Sequence, residues 1–266
     1  MTHSPISPQQ FDAITATAIK AGAVIMDIYS RPIDVELKDD RTPVTEADKA
    51  AEVVILKALK EIIPDIPVIS EEAASDGYIP HVENVFFLVD PLDGTREFIS
   101  RNGEFTVNIA LIVDTQPVAG VVYAPAKGQF YRGQRGKGAE IATISPDQTI
   151  ADASWQSINV VDAQEGARIA VASRSHADEK TQAYLDEAGV SETIQAGSSL
   201  KFCLIARGDA QIYPRMGRTM EWDTAAGQAV LEAAGGSVIT EEGVALGYSK
   251  VERGYDNPHF IARAWT

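Results

Sequence analysis

Apolar residues at Phe11, Ile14, Ala18, Ala21, Ile25 and Ile28 recur at helical spacing and predict an amphipathic helix to about Tyr29. Ser7-Pro8-Gln9-Gln10 marks its start, with Ser7 as N-cap, Pro8 in the first turn and Gln10 completing a capping box. Lys38 to Pro43 reads as a charged, turn-rich connection to a second long helix, which starts at Thr45-Glu46-Ala47-Asp48 and reaches about Ile63 before Pro64 stops it. Ile66-Pro67-Val68-Ile69 is a short strand whose end carries Glu71 and Glu72, a pair that reads as a solvated turn. Val85 to Val89 is a continuous apolar run of buried-strand type. Phe105–Val113 and Val118–Tyr123 form a hairpin around Asp114-Thr115-Gln116-Pro117, and Gln129–Tyr131 and Ala139–Ile141 continue the strand series.

From Thr143 to Trp155 the periodicity is lost, which divides the chain into parts 1–153 and 154–266. The second part alternates: strand 168–172, helix 176–188, strand 190–194, helix 198–206, strand 210–213, helix 221–234, then strands 237–240 and 259–262. Such alternation predicts an α/β layer packed on the first part.

The run Val85–Val89 leads into Asp90-Pro91-Leu92-Asp93-Gly94-Thr95, which sets two carboxylates side by side at the edge of a sheet. Pro91 fixes φ and Gly94 permits an unusual backbone angle. Carboxylates held that close repel one another unless a cation sits between them; the same residues serve equally as a polar turn. An EF-hand is excluded, because placing Gly94 at loop position six puts Val89 first and Ser100 last. Asp48 has the S/T-x-x-D spacing of a capping box with Thr45. Asp223, near the start of its helix, suits the positive helix end, and Ala225, Ala226 and Gly227 after it allow close approach to another backbone.

Composition narrows the chemistry. Across 266 residues the net charge is −15, which repels nucleic acid polymers but leaves a small anionic substrate open, since local cations reverse the field at one site. The single cysteine, Cys203, rules out an internal disulfide and reads as a buried, inert thiol. No secretory signal or membrane-length apolar run is evident, so the expected location is cytoplasmic, with a loose association at the inner membrane face as the alternative. The glycines from Gly133 to Gly138 do not form a P-loop.

Together, D-P-L-D-G-T, the upstream E-E and T-E-A-D, and the downstream W-D-T-A-A-G resemble the inositol monophosphatase superfamily of Mg²⁺-dependent, lithium-sensitive phosphatases. Segments 68–72, 101–111, 173–178, 197–203 and 213–215 look like its CysQ branch, the 3'(2'),5'-bisphosphate nucleotidases, which hydrolyse adenosine 3',5'-bisphosphate to AMP and phosphate. The resemblance implies a layered αβαβα sandwich. It implies that Asp90 bridges two Mg²⁺ ions, that Glu71 and the Leu92 carbonyl hold the first, and that Asp93 and Asp223 hold the second. The ions would lie roughly 3.5–4 Å apart. Thr95 with Asp48 would orient and deprotonate the attacking water, Gly94 and the amides around Thr95 would receive the phosphate, and Glu72 would support Glu71 or a third ion.

One departure lies in Tyr213-Pro214-Arg215-Met216-Gly217, where an arginine stands about where inositol monophosphatases carry a glutamate for inositol hydroxyls. A cation suits a second phosphate, so Arg174, Lys201 and Arg215 are candidates for it, with Ser173, Ser198 and Ser199 as hydrogen-bond donors. PAPS is a further candidate substrate. The rival readings are an inositol monophosphatase, disfavoured by Arg215 and the S-R-S-H-A-D segment, and a non-catalytic cation- or nucleotide-binding module, disfavoured by the Asp48–Thr95 pair.

Overall fold

The computed structural model describes residues 5–38, 42–163, 167–173 and 179–266, apart from the side chains of Ser173 and Ser191. Helix α1 (Pro8–Tyr29) starts as its sequence predicts: Ser7 Oγ accepts from Gln10 N and Gln10 Oε1 from Ser7 N. Strands β1 (Val35–Leu37) and β2 (Pro43–Thr45), not expected from the sequence, pair as an antiparallel ribbon on either side of the connection expected from Lys38 to Pro43. Helix α2 (Glu46–Ile62) follows without a gap.

Strand β3 (Val68–Ser70) runs into a short helix, α3 (Glu71–Ser75), so Glu71 and Glu72 open a helix where a turn was expected. Strand β4 (Val85–Asp93) continues four residues past the apolar run, because its pairing with β5 (Thr106–Val113) resumes after a bulge. Asp90 pairs with Asn108 and Asp93 with Thr106, three steps on β4 against two on β5. Such a bulge re-aims side chains at a strand end. Gly94, at φ +93°, then turns the chain into α4 (Thr95–Ile99).

Strands β6 (Gln116–Ala124), β7 (Gln129–Gln134), β8 (Gly138–Thr143) and β9 (Gln156–Ile158) complete a seven-stranded sheet in the order β3-β4-β5-β6-β7-β8-β9. The 143–155 stretch holds a short 3₁₀ turn, Ile150–Asp152. Beyond it come β10 (Arg168–Ser173), α5 (Glu179–Glu187), β11 (Val190–Ala196), α6 (Leu200–Ala206), β12 (Ile212–Arg215), α7 (Glu221–Ala233), β13 (Ser237–Thr240) and β14 (Phe260–Arg263). Their strands form a five-stranded sheet in the order β11-β10-β12-β14-β13. Residues 176–178 of the expected helix lie outside the described residues.

Alternation along the central strands explains the layering. Phe87, Val89, Ile109 and Leu111 face a core shared with α1 and α2; Phe86, Leu88, Ala110 and Ile112 face a second core shared with α6, α7 and the five-stranded sheet. Leu185 of α5 packs with Ala170, Ile212 and Ile261 on that sheet's outer face. The result is the expected αβαβα sandwich. The small residues after Asp223 act as expected, since α7 lies so close to β6 that a Cβ on Gly120 would come within 2.7 Å of the Ala226 carbonyl oxygen.

Candidate active site

The site forms where β3, β4 and α7 deliver carboxylates to one place. Glu71, Asp90 and Asp223 each offer an oxygen, and these three atoms lie within 4.8 Å of one another. Asp90 is buried at the bulge; its Oδ1 accepts from Leu92 N at 3.0 Å, while its Oδ2 is buried with no hydrogen-bond partner among the described residues. Burial, then the charges of Glu71, Asp93 and Asp223, push the Asp90 carboxyl well above the usual range. Asp223 is raised for the same reasons, burial first, followed by Asp93 and Glu71, although Met220 N donates to its Oδ2 at 2.8 Å. An anionic oxygen without a donor, set among like charges, is stabilised only by a proton or a cation. The donors are all hard oxygens, the set that suits Mg²⁺ or Ca²⁺, so the residues present fit a divalent ion.

Asp93 lines the same cleft, with its hydrogen bonds on Oδ2: Ser198 Oγ at 2.6 Å, Ser199 Oγ at 3.1 Å and Asn108 Nδ2 at 3.4 Å. Asp48 joins two roles on two oxygens. Its Oδ2 accepts from Thr45 N at 2.8 Å and Thr45 Oγ1 at 2.7 Å, the capping box of α2, while its Oδ1 accepts from Thr95 Oγ1 at 3.0 Å. Burial raises the Asp48 pKa against those hydrogen bonds. The Leu92 carbonyl oxygen lies 3.5 Å from Thr95 Oγ1.

Two buried cations, Lys201 and Arg215, share a cleft of about 260 Å³ with this acidic floor, and the exposed Arg96 and Arg218 also line it. Lys201 is buried, donates to Ser198 O at 2.6 Å and stands over the Tyr213 ring; burial lowers its pKa to about 8, Asp93 acting in the opposite sense. Arg215 is 9% exposed, gives Nη2 to Arg218 O at 3.0 Å and leaves Nε buried without a partner among the described residues. Ser173 ends β10, and Arg174 lies outside the described residues.

Two site residues escaped sequence reasoning. Lys38, at the end of the β1–β2 ribbon, places Nζ 2.8 Å from both Glu71 Oε1 and Glu72 Oε1. Burial works against its charge, but Glu71 and Glu72 outweigh burial and raise its pKa; burial and then Glu71 push Glu72 up to about 7. Nothing local in a charged connection foretells that contact. Asn108, fully buried, donates to Ser199 Oγ at 2.9 Å. Its signal was present: one amide inside the apolar strand Thr106–Val113.

This fold and carboxylate site define a class: the sequence matches the inositol monophosphatase family over residues 8–264, and the chain belongs to that family. Within it, the chain is 45% identical over 252 residues to the 3'(2'),5'-bisphosphate nucleotidase CysQ of Escherichia coli (strain K12), covering 94% of this chain and 97% of that one. The structure of CysQ from Bacteroides thetaiotaomicron superposes with a TM-score of 0.76 at 38% identity, covering 97% and 98% of the two chains. The inositol monophosphatase from Anabaena (Nostoc) sp. PCC 7120 superposes with a TM-score of 0.74 at 25% identity, covering 97% and 91%.

Proposed function

We propose that the chain is a Mg²⁺-dependent 3'(2'),5'-bisphosphate nucleotidase that releases phosphate from adenosine 3',5'-bisphosphate, leaving AMP. The observation that carries this reading is the pairing of an acidic floor with buried Lys201 and Arg215, whose Nε has no partner among the described residues, in one cleft. A monophosphate needs only the metal side; a second phosphate needs cations set apart from it. The similarity to CysQ nucleotidases supports the same reading.

Glu71, Asp90 and the Leu92 carbonyl would hold one ion, and Asp90 and Asp223 another, which Asp93, lining the same cleft but outside the cluster of three, would join; Glu72 would support Glu71 or a third. Bound there, divalent ions neutralise the phosphoryl oxygens and the charge growing on the leaving oxygen. The protein's own part begins at Thr95. Its single hydroxyl proton is directed to Asp48 Oδ1, which leaves an oxygen lone pair free to accept a proton from the attacking water. Asp48, raised by burial, is the base at the end of that relay. Gly94 and Thr95 line the cleft and would cradle the reacting phosphate.

The deciding comparison is kcat/KM for adenosine 3',5'-bisphosphate, AMP and inositol 1-phosphate in Mg²⁺, with chelator as control. The bisphosphate should be preferred and chelator should stop turnover; preference for inositol 1-phosphate overturns the reading. PAPS is a further substrate to include.

Arg215→Ala and Lys201→Ala should cut kcat/KM for the bisphosphate by about 10–100-fold, from about 1.5–3 kcal/mol per charge-assisted hydrogen bond, and spare inositol 1-phosphate. The lysine also sets a pH signature. Because burial brings its pKa down to about 8, the free enzyme loses this charge as pH rises through 8, and bisphosphate kcat/KM should fall there. Lys201→Arg should remove that fall. Equal losses for both substrates would show that these cations serve the shared site or the fold.

Lys38 now bridges the two glutamates that Mg²⁺ would engage. Lys38→Met should lower the Tm of EDTA-treated protein by a few degrees, from about 1–3 kcal/mol of lost pairing in a partly exposed site. It should also enlarge the rise in Tm on adding Mg²⁺, because Glu71 is released from the ammonium. An unchanged Mg²⁺ increment would mean that Lys38 and the ion do not share Glu71.

A further inference from the structure

Ser198, in the turn between β11 and α6, holds φ at +55°, a left-handed conformation that suits glycine far better than serine. Gly197 beside it does not take the left-handed position; a Cβ there would meet the Glu104 carbonyl oxygen at 2.8 Å, and its N–H donates to Glu104 Oε2 at 2.9 Å. Gly197 therefore seats the turn against the first sheet, and Ser198 carries the strained angle. Strain of this kind persists where the surroundings over-determine it.

The surroundings of Ser198 are specific. Its Oγ lies 2.6 Å from Asp93 Oδ2, 3.0 Å from Asp93 O and 2.6 Å from Thr106 Oγ1. A serine hydroxyl has one proton. With that proton on the short contact to the carboxylate, the buried Thr106 hydroxyl must donate to Ser198, giving a chain Thr106 → Ser198 → Asp93 Oδ2. The neighbouring donors hold Asp93 Oδ2 less closely: Ser199 Oγ is nearer Asp223 O, at 2.8 Å, than Asp93 Oδ2, at 3.1 Å. Asn108 Nδ2 gives one hydrogen to Ser199 Oγ at 2.9 Å, and its second reaches Asp93 Oδ2 only at 3.4 Å, a longer contact than that of Ser198. On its other side, the Ser198 carbonyl accepts from Lys201 Nζ at 2.6 Å.

We propose that Ser198 is a positioning residue: its hydroxyl fixes Asp93 Oδ2 so that Oδ1 is the oxygen presented to the metal, and its carbonyl ties that carboxylate to Lys201. This rests on the Mg²⁺-dependent reading above. The arrangement links the cation wall of the cleft to its acidic floor through a single residue, across the junction of the two sheets. Partners that orient a ligand in this way alter metal affinity by about 10–100-fold when removed.

The test uses the full chain, stripped with EDTA and titrated calorimetrically with Mg²⁺ in saturating inorganic phosphate. Ser198→Gly removes the hydroxyl while relieving the backbone, so it should unfold at no lower temperature than the parent. It should nevertheless weaken the Mg²⁺-binding step that uses Asp93 by about 10-fold or more and leave the other step unchanged. Thr106→Val, which removes the donor to Ser198 but no hydrogen bond to the Asp93 carboxylate, should weaken the same step less, and the double variant should be no weaker than Ser198→Gly alone. Parent-like binding in Ser198→Gly, with only a raised KM for the bisphosphate, would make Ser198 a substrate contact and overturn the proposal, as would additive losses in the double variant. A parent protein that takes up no Mg²⁺ would instead overturn the phosphatase reading, and this inference with it.

Discussion

Asp90→Asn is expected to reduce Mg²⁺-dependent phosphate release by on the order of 10³-fold or more while leaving the protein folded. Asp90 has the least compensated charge in the site: Oδ1 has the Leu92 amide, Oδ2 has no partner among the described residues, and Glu71, Asp93 and Asp223 surround it. An amide keeps the acceptor for Leu92 N, removes the buried charge and offers a donor toward Glu71. Without metal, the variant should therefore unfold at the same temperature as the parent or a higher one, the opposite of the usual outcome for a buried substitution. Two measurements decide it: thermal unfolding in EDTA, and turnover across a wide range of Mg²⁺. A folded variant that still turns over substantially would remove Asp90 from the bridging role.

The features that were legible in the sequence are those written locally. The capping boxes of α1 and α2 needed only Ser7, Gln10, Thr45 and Asp48, and both formed. The core of β4 was equally clear, because a strand buried on both faces must be apolar at consecutive positions. Its end was not. Two aspartates and a proline argue against a strand, yet pairing continues to Asp93, since the bulge takes up one residue and Thr106 supplies the partner. That decision is made by β5, thirteen residues further on, and no window around Asp90 contains it.

The ribbon β1–β2 was missed for a related reason. Each strand has three residues, β1 is exposed throughout, and neither carries an alternation to read. Its consequence is the contact of Lys38 with Glu71 and Glu72, across more than thirty residues. The cleft cations show the intermediate case. Arg215 was visible as a departure from a family pattern, but its burial and its unpartnered Nε exist only once β12 meets the loop carrying Arg218. Lys201 sits in an amphipathic helix where a surface position would be ordinary; packing against Tyr213 is what buries it. Residue types at the site were therefore readable, whereas which oxygen each carboxylate presents was not.

That last distinction makes the Asp48–Thr95 pair separable by experiment. Because Asp48 accepts from Thr45 on Oδ2 and from Thr95 on Oδ1, the helix cap and the proposed proton relay rest on different atoms. Thr95→Val removes the hydroxyl at nearly constant shape and leaves the cap intact, so stability should fall by no more than about 1–3 kcal/mol, the cost of leaving buried Asp48 Oδ1 without its donor. Asp48→Asn keeps an acceptor for Thr45 N and turns an amide toward Thr95 Oγ1; because burial already works against the charge of Asp48, stability should change by no more than about 1 kcal/mol. Each should nonetheless lower kcat by about 10²–10⁴-fold, the usual contribution of a positioned base, with KM for the bisphosphate little changed. A relay fails as a unit, so the double variant should be about as slow as the slower single one. Calorimetric Mg²⁺ titration separates this from damage to the metal site: Thr95→Val loses only a 3.5 Å contact to the Leu92 carbonyl and Asp48 acts on Glu71 only through its charge, so both variants should still bind Mg²⁺. If Thr95→Val keeps parental kcat, the hydroxyl does not handle the water's proton. Asp48 would then keep only the role that its sequence spacing announces, the cap of α2.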